Sequence, residues 1–159
     1  MSSPSVTPAS GAVQAAAQYL TFSLGEEQYA LEILRVQEIR GYTQPTPMPN
    51  TPHHLKGVIN LRGSVVPVVG LRERFGLAPL ADHKFSVIVL VLVGSRVLGL
   101  LVDAVSDVLT LREEDVEPTP QLDGIDTSFI LGLAKSGDKL IALLDLARAV
   151  GSEQLDAQA

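Results

Sequence analysis

GVINLRGSVVPVVGLRERFG, residues 57–76, contains two apolar runs separated by a polar turn and followed by a short charged segment. Residues 58–61 and 65–69 are rich in β-branched side chains, which is typical of the two strands of a hairpin. Residues 71–75 predict a short helix that ends at Gly76. The same order of strand, turn, strand and helix recurs without a gap in GLAKSGDKLIALLDLARAVG, residues 132–151.

A second pair of segments extends this repeat. YALEILRVQEI, residues 29–39, aligns without gaps with LGLLVDAVSDV, residues 98–108. The two alignments are offset by 69 and 75 residues, so one half contains a longer loop. Matching glycines and acidic residues, such as Glu38 with Asp107, carry more weight than matches among Val, Leu and Ile. The repeat predicts two halves of about 65 residues, each the size of a small five-stranded barrel, packed together with a groove at the seam.

Strand signals dominate the rest of the chain, which predicts an all-β fold with short helices. Residues 36–39 fit either a short helical turn or an irregular strand, and residues 53–57 fit one helical turn ending at Gly57. The four prolines of residues 43–52 indicate a stiff crossover or, alternatively, a polyproline ligand. We expect three further hairpins, at residues 19–33, 86–102 and 130–144. One domain is expected over residues 18–151, with a flexible N-terminal tail at residues 1–17 and a C-terminal tail at residues 152–159.

Composition excludes several classes of protein. The 159 residues are 46% apolar and carry a formal net charge of −6, with no cysteine. Disulfides and thiolate metal sites are therefore excluded, and no basic patch indicates nucleic-acid binding. The longest apolar run, residues 87–93, is far shorter than the roughly 20 residues of a membrane span. We therefore expect no insertion into the membrane, and the lack of cysteine is compatible with a reducing cytoplasm.

Catalytic and metal-binding patterns are weak. His53 and His54 are adjacent and point apart, and His83 is the only other histidine. Ser64 and Ser95 lie in turns without a G-x-S-x-G frame, and the acidic runs fit solvated loops. We therefore expect no enzyme activity, no cofactor and no metal.

Arg62 is unusual because it interrupts two apolar strands. An unpaired buried charge is costly, so the guanidinium must be solvated or paired. Glu38 is the predicted partner, because both residues lie at strand ends in the same half. In the second half Asp107 matches Glu38, but Gly137 matches Arg62. Two readings stay open: a structural surface ion pair, or an arginine that faces another protein.

Three segments now indicate a family. FSLGEEQYALEILRVQEIRGY (residues 22–42), LKGVINLRGSVVPVV (55–69) and GLLVDAVSDVL (99–109) resemble the CheW family of chemotaxis coupling proteins, over residues 19–151. The resemblance implies two pseudo-repeated five-stranded SH3-like β-barrels. It also implies a noncatalytic adaptor that couples methyl-accepting chemoreceptors to the histidine kinase CheA, recruited from the cytoplasm to membrane-associated receptor arrays.

The resemblance also implies contact residues. The cytoplasmic tip of the receptor would dock in the groove between the barrels, and the regulatory domain of the kinase would dock on the first barrel near Gly41, Gly57 and Arg62. A second kinase contact would lie at Leu122 on the other barrel. The residues expected at the receptor groove are Leu20, Ile33, Val36, Glu38, Ile39, Arg62 and Val102.

One position departs from the family pattern. Gly70 stands where the family usually has an aspartate, whereas the second half has Asp145 at the equivalent place. Aspartate would cap the following short helix better than glycine does. The alternative function is a stand-alone SH3-like module that binds a peptide or ligand in the groove, without a kinase.

Overall fold

The computed structural model describes residues 16–120 and 127–150. These residues form strands, two short α-helices, and 3₁₀ turns at Ile33–Arg35 and Glu113–Asp115. The strands are β1 Ala17–Leu24, β2 Glu27–Glu32, β3 Val36–Gly41, β4 Leu55–Leu61, β5 Ser64–Gly70, β6 Val87–Val93, β7 Arg96–Val102, β8 Ala104–Leu111, β9 Val116–Glu117, β10 Ile130–Ser136 and β11 Lys139–Leu144. The helices are α1 Leu71–Arg74 and α2 Leu146–Val150.

The strands form two sheets, which confirms the predicted all-β class. One sheet has six strands in the order β8-β1-β2-β11-β10-β9, and the other has five in the order β3-β6-β7-β5-β4. Neighbouring strands are antiparallel except for the β2–β11 and β5–β7 pairs, which are parallel. Those parallel pairs join strands that are distant in the sequence, so each sheet depends on long-range pairing between strands.

The boundary between the sheets does not follow the boundary between the sequence halves. The β1–β2 hairpin of the first half pairs with β8 and β11 of the second half. The β6–β7 hairpin of the second half pairs with β3 and β5 of the first half. The duplication is confirmed, but each half contributes strands to both sheets. Hydrophobic patterning specifies strands and their faces, and it does not specify which hairpin a strand joins.

The register of the two sheets repeats residue by residue. In the parallel pairs, Val68 lies opposite Gly99 and Leu143 lies opposite Ala30. These two pairs are related by the same offsets of 69 and 75 residues that relate the sequence halves. The β-bulges of the β3–β6 and β1–β8 pairs also fall at equivalent positions. The repeat seen in the sequence is therefore a pseudo-twofold relationship between the two sheets.

A central apolar cluster holds the two sheets together. It contains side chains from both sheets and both helices. Two smaller apolar clusters lie apart from it, one within the five-stranded sheet and one within the six-stranded sheet. Burying one such side chain contributes about 1.5–3 kcal/mol, so the central cluster is the main contact between the sheets. Its buried members are Leu20, Phe22, Leu24, Leu31, Val69, Leu71, Val89, Val91, Leu98, Leu100, Val102, Leu144, Leu146, Ala149 and Val150.

The helical turn predicted at residues 53–57 is wrong, because β4 begins at Leu55 and includes Gly57. Gly57 has φ +143°, and a Cβ on it would collide with the backbone carbonyl of Thr46. The Thr46 backbone forms two hydrogen bonds with Val58, at 2.8 and 2.9 Å. Glycine is therefore needed here for the close approach of a neighbouring segment and does not end a helix. Residues 36–39, which fitted either a turn or a strand, lie in β3.

The two short helices are capped in different ways. Gly70, at the N-cap of α1, makes no side-chain cap hydrogen bond, as expected from its missing side chain. Glu73 places its carboxylate where a Gly70 side chain would lie, and it pairs with Lys56 at 2.6 Å. At α2, Asp145 accepts a hydrogen bond from the backbone N–H of Arg148 at 3.3 Å. A carboxylate thus lies at the start of each helix, supplied by different positions.

Candidate functional site

Arg62 lies in the two-residue turn between β4 and β5, where Leu61 pairs with Ser64. Its guanidinium donates a hydrogen bond to a Glu38 carboxylate oxygen at 3.0 Å, which confirms the ion pair predicted from the sequence. The side chain of Arg62 is 70% exposed and that of Glu38 is 34% exposed. An ion pair this exposed contributes only about 0–1 kcal/mol to stability. Because the Arg62 side chain is exposed, its guanidinium is accessible to another protein.

Glu38 also faces a second arginine. Arg40 lies two residues further along β3, and its guanidinium is 3.6 Å from the other Glu38 oxygen. Residues two apart on a strand point to the same face, which accounts for the contact. The spacing of two residues along a predicted strand is the sequence signal of this contact. The carboxylate thus orients two cations on one exposed face.

The backbone of Arg62 is strained. Its φ is +51°, in the left-handed region, and Gly63 follows with φ +88°. A non-glycine residue pays about 1–2 kcal/mol in this region. The equivalent turn between β10 and β11 has Gly137 at the matching position, with φ +65°. The turn itself therefore does not require an arginine.

Two residues expected at the receptor groove lie below the surface. Leu20 is 3% exposed and Val102 is 1% exposed, and both belong to the central apolar cluster. Ile33 and Val36 are partly buried and pack against the same cluster. Leu20 and Val102 therefore cannot contact a partner in this fold. This corrects the expectation for these two residues, whose strand neighbours Thr21 and Leu101 are buried as well.

Two other residues expected at the receptor groove, Glu38 and Ile39, are adjacent on β3, and both reach the surface. Ile39 is 44% exposed on β3, next to Glu38. β3 lies at the edge of the five-stranded sheet, and β8 lies at the edge of the other sheet. Val108 of β8, the pseudo-twofold equivalent of Ile39, is 48% exposed. Each sheet thus presents an aliphatic side chain on an edge strand.

The residues expected to contact the kinase have different environments. Gly41 is exposed at the end of β3, whereas Gly57 is buried beneath Thr46 and cannot contact a partner directly. This corrects the expectation for Gly57, which serves the local backbone. Met48 and Val65 are large exposed apolar residues that sequence reasoning missed. Leu122 lies outside the described residues.

A cleft of about 390 Å³ opens beside the 3₁₀ turn Ile33–Arg35. Its walls come from the end of β2, the β6–β7 turn, β10 and the start of α2. Its lining does not include any of the residues expected at the receptor groove. The lining residues are Leu31, Glu32, Arg35, Leu92, Val93, Gly94, Leu131, Leu144, Asp145, Leu146 and Ala147.

An ion pair closes the place related to this cleft by the pseudo-twofold relationship. Arg72 donates hydrogen bonds to both carboxylate oxygens of Asp103, and the backbone N–H of Gly25 donates to the same carboxylate at 2.6 Å. Hydrogen bonding to Asp103 raises the pKa of Arg72 above its ordinary value. The equivalents of Arg72 and Asp103 are Ala147 and Leu34, which cannot form such a pair. The cleft therefore lacks the ion pair that is present at the place related to it by the pseudo-twofold relationship.

His54 is buried in the turn that precedes β4. Burial lowers its pKa below the ordinary value of 6.5, and the charges of Arg74 and His53 lower it further. Its Nε2 atom is buried without a hydrogen-bond partner in the structure. Within residues 16–120 and 127–150, no group of three or more His, Cys, Asp or Glu side chains is arranged to hold a metal ion. Over the same residues, no helix is long and apolar enough to span a membrane.

Comparison with known proteins identifies the family. The model of the CheW-like domain matches residues 18–154. The chain belongs to the CheW family. The chemotaxis protein CheW of Klebsiella aerogenes is 40% identical over 139 residues, which cover 87% of this chain and 84% of the relative. The CheW protein of Rhizobium meliloti is 40% identical over 141 residues, which cover 88% of this chain and 91% of the relative.

A solved CheW structure has the same fold. The crystal structure of the scaffolding protein TtCheW from Thermoanaerobacter tengcongensis matches with a TM-score of 0.76 and 39% identity. The match covers 82% of this chain and 89% of that chain. The two-sheet arrangement described above is therefore that of a CheW scaffold, and the resemblance drawn from the three sequence segments is confirmed.

Proposed function

We propose that this chain is a noncatalytic scaffold of chemotaxis signalling that couples methyl-accepting chemoreceptors to the histidine kinase CheA. Membership of the CheW family supports the role in general. The observation that carries the proposal is the Glu38–Arg62 pair, which presents an exposed guanidinium. Arg62 adopts a strained backbone conformation in a turn that does not itself require an arginine. Strain of this kind is retained where function requires it.

The kinase-binding surface is proposed on the five-stranded sheet. Arg62, Gly41 and the exposed side chains of Met48 and Val65 contribute to it. Val65 lies one residue beyond the pair that closes the Arg62 turn. Aliphatic side chains beside an arginine are typical of the centres of protein–protein interfaces. The partner proposed for this surface is the regulatory domain of a CheA-like kinase.

The receptor-binding groove is proposed along β3. The Glu38 side chain points to the opposite face of the strand from Ile39. Ile39 supplies an exposed aliphatic side chain, and Ile33 and Val36 are partly buried against the central apolar cluster. A helix from the receptor tip would place its apolar face against these residues. Leu20 and Val102 support the groove from the core without touching the partner. A second kinase contact is proposed at Leu122.

The proposed role requires no catalysis and no cofactor, and it places the protein in the cytoplasm at receptor arrays. Each contact surface is modest, so each affinity is expected to be about micromolar. Arrayed partners raise the effective concentration, which makes weak contacts sufficient.

Binding to a kinase regulatory domain and to a receptor-tip fragment, measured by isothermal titration calorimetry, tests the proposal. Arg62→Glu is expected to weaken kinase binding by about tenfold or more while the protein remains folded. Arg112→Glu is the matched control, because Arg112 is similarly exposed and lies in the other sequence half. Unchanged kinase binding by the folded Arg62→Glu variant would contradict the role of Arg62. Failure of the wild type to bind either partner would favour the stand-alone module.

A further inference from the structure

The β4–β5 turn contains a hydrogen bond that neither the ion pair nor the sheet accounts for. The side-chain carbonyl of Asn60 accepts a hydrogen bond from the backbone N–H of Gly63 at 2.9 Å. Asn60 is exposed, and it pairs across the hairpin with Val65. The bond spans the turn and encloses Arg62, whose backbone lies in the left-handed region. Asparagine side chains fix turns in this way by bonding to a nearby backbone group.

The equivalent hairpin, β10–β11, has a turn without the asparagine. Lys135 replaces Asn60, Gly137 replaces Arg62 and Asp138 replaces Gly63. Ser136 and Lys139 still pair across the turn, and Gly137 still has a positive φ. Glycine adopts this conformation without a side-chain clash, so no asparagine is needed to hold it. Asparagine and arginine therefore occur together in one hairpin and are both replaced in the other.

We propose that Asn60 is a positioning residue that holds Arg62 in the conformation from which its guanidinium pairs with Glu38 and faces the kinase. The bond to Gly63 spans the turn that contains Arg62, so the conformation of the arginine is fixed before the partner arrives. Fixing a binding group in advance reduces the ordering cost of association. This inference rests on the proposed function, because the benefit of Asn60 appears only if Arg62 contacts the partner.

The test is a double-mutant cycle on kinase binding with full-length protein and the kinase regulatory domain. Asn60→Ala is expected to weaken binding about fivefold, and Asn60→Asp, which retains an acceptor oxygen, is expected to restore most of that loss. In an Arg62→Ala background, Asn60→Ala is expected to cause no further loss. Lys135→Ala, at the equivalent position of the other hairpin, is the matched control and is expected to leave affinity unchanged.

The outcomes separate this inference from the proposed function. If Asn60→Ala weakens binding equally with and without Arg62, Asn60 has a structural role only and the inference is overturned. If Arg62→Ala weakens binding but Asn60→Ala does not, the inference again fails while the proposed function stands. If Arg62→Ala leaves binding unchanged, the proposed role of Arg62 and this inference both fail. If the wild type does not bind the kinase domain, the proposed function fails. Circular dichroism and the thermal midpoint of each variant establish that binding is compared between folded proteins.

Discussion

Arg72 donates its Nε hydrogen to both carboxylate oxygens of Asp103, at 2.9 and 3.2 Å. The pair joins α1 to the junction of β7 and β8, and its side chains are 19% and 16% exposed. The same carboxylate accepts the N–H of Gly25 in the β1–β2 turn. One carboxylate therefore connects the five-stranded sheet to a hairpin of the six-stranded sheet.

Loss of this carboxylate is expected to destabilise the fold. Asp103→Ala leaves the Nε–H of Arg72 and the N–H of Gly25 without their acceptor, although Arg72 still donates to the Ala78 carbonyl. The expected loss in the free energy of unfolding is about 2 kcal/mol. Arg112→Ala removes the exposed pair with Glu114 and is expected to cost under about 0.5 kcal/mol. Urea denaturation followed by circular dichroism measures both. Equal losses in the two variants would mean that Asp103 is not a structural connection.

Introducing at position 70 the aspartate that the family resemblance implies is expected to destabilise this chain. Gly70→Asp places a second carboxylate against Glu73 in occupied space, and the expected destabilisation is about 1–3 kcal/mol. Combined with Glu73→Ala, the new carboxylate gains room and can pair with Lys56, so most of the loss is expected to disappear. Thermal unfolding of the two single variants and the double variant gives the coupling. Additive effects would show that positions 70 and 73 are independent.

Stability and binding are expected to change in opposite directions at Arg62. Arg62→Gly removes the left-handed strain and is expected to raise the free energy of unfolding by up to about 1 kcal/mol. The same change removes the guanidinium, so kinase binding is expected to fall about tenfold. Arg40→Gly is an informative comparison, because Arg40 also contacts Glu38 but lies in a strand, where glycine is expected to destabilise. A less stable Arg62→Gly variant would contradict the assignment of strain.

The stability of the fold is expected to decrease in mild acid because of His54. Burial and the Arg74 charge lower the pKa of His54 in the folded state, so the unfolded chain binds the proton more readily. The stabilising effect is complete above the unfolded pKa of 6.5 and is lost as the pH falls toward the folded pKa. His54→Gln should reduce this loss between about pH 7 and pH 5, whereas the exposed His53→Gln should retain it. Parallel pH dependences of the wild type and His54→Gln would exclude His54 as the cause.

Receptor binding is expected to depend on the exposed edge of β3. Ile39→Asp introduces a charge at a 44% exposed position and is expected to weaken binding of a receptor-tip helix about tenfold, with little effect on stability. Leu140→Asp is the matched control, because Leu140 is 56% exposed on β11. Val102→Asp would instead bury a charge and unfold the protein. If Ile39→Asp and Leu140→Asp bind the receptor equally well, the groove does not lie on β3.

The sequence was sufficient to predict the strands, the duplication and the Glu38–Arg62 pair. These features depend on local patterning and on positions matched between the halves, which can be read without coordinates. The depth of Leu20 and Val102 could not be predicted, because burial depends on which sheet covers each strand. The role of Gly57 was also missed. A glycine that ends a helix and one that admits a passing carbonyl are identical in sequence.

The exchange of strands between the sheets determines when the chain can fold during synthesis. The β1–β2 hairpin emerges from the ribosome long before its parallel neighbour β11, because strands β3 to β10 lie between β2 and β11 in chain order. The first hairpin must therefore wait, with its apolar face uncovered, until β11 has been made. A gene fragment that encodes either half alone would yield strands without their neighbours, so the two halves cannot be separated into independent modules.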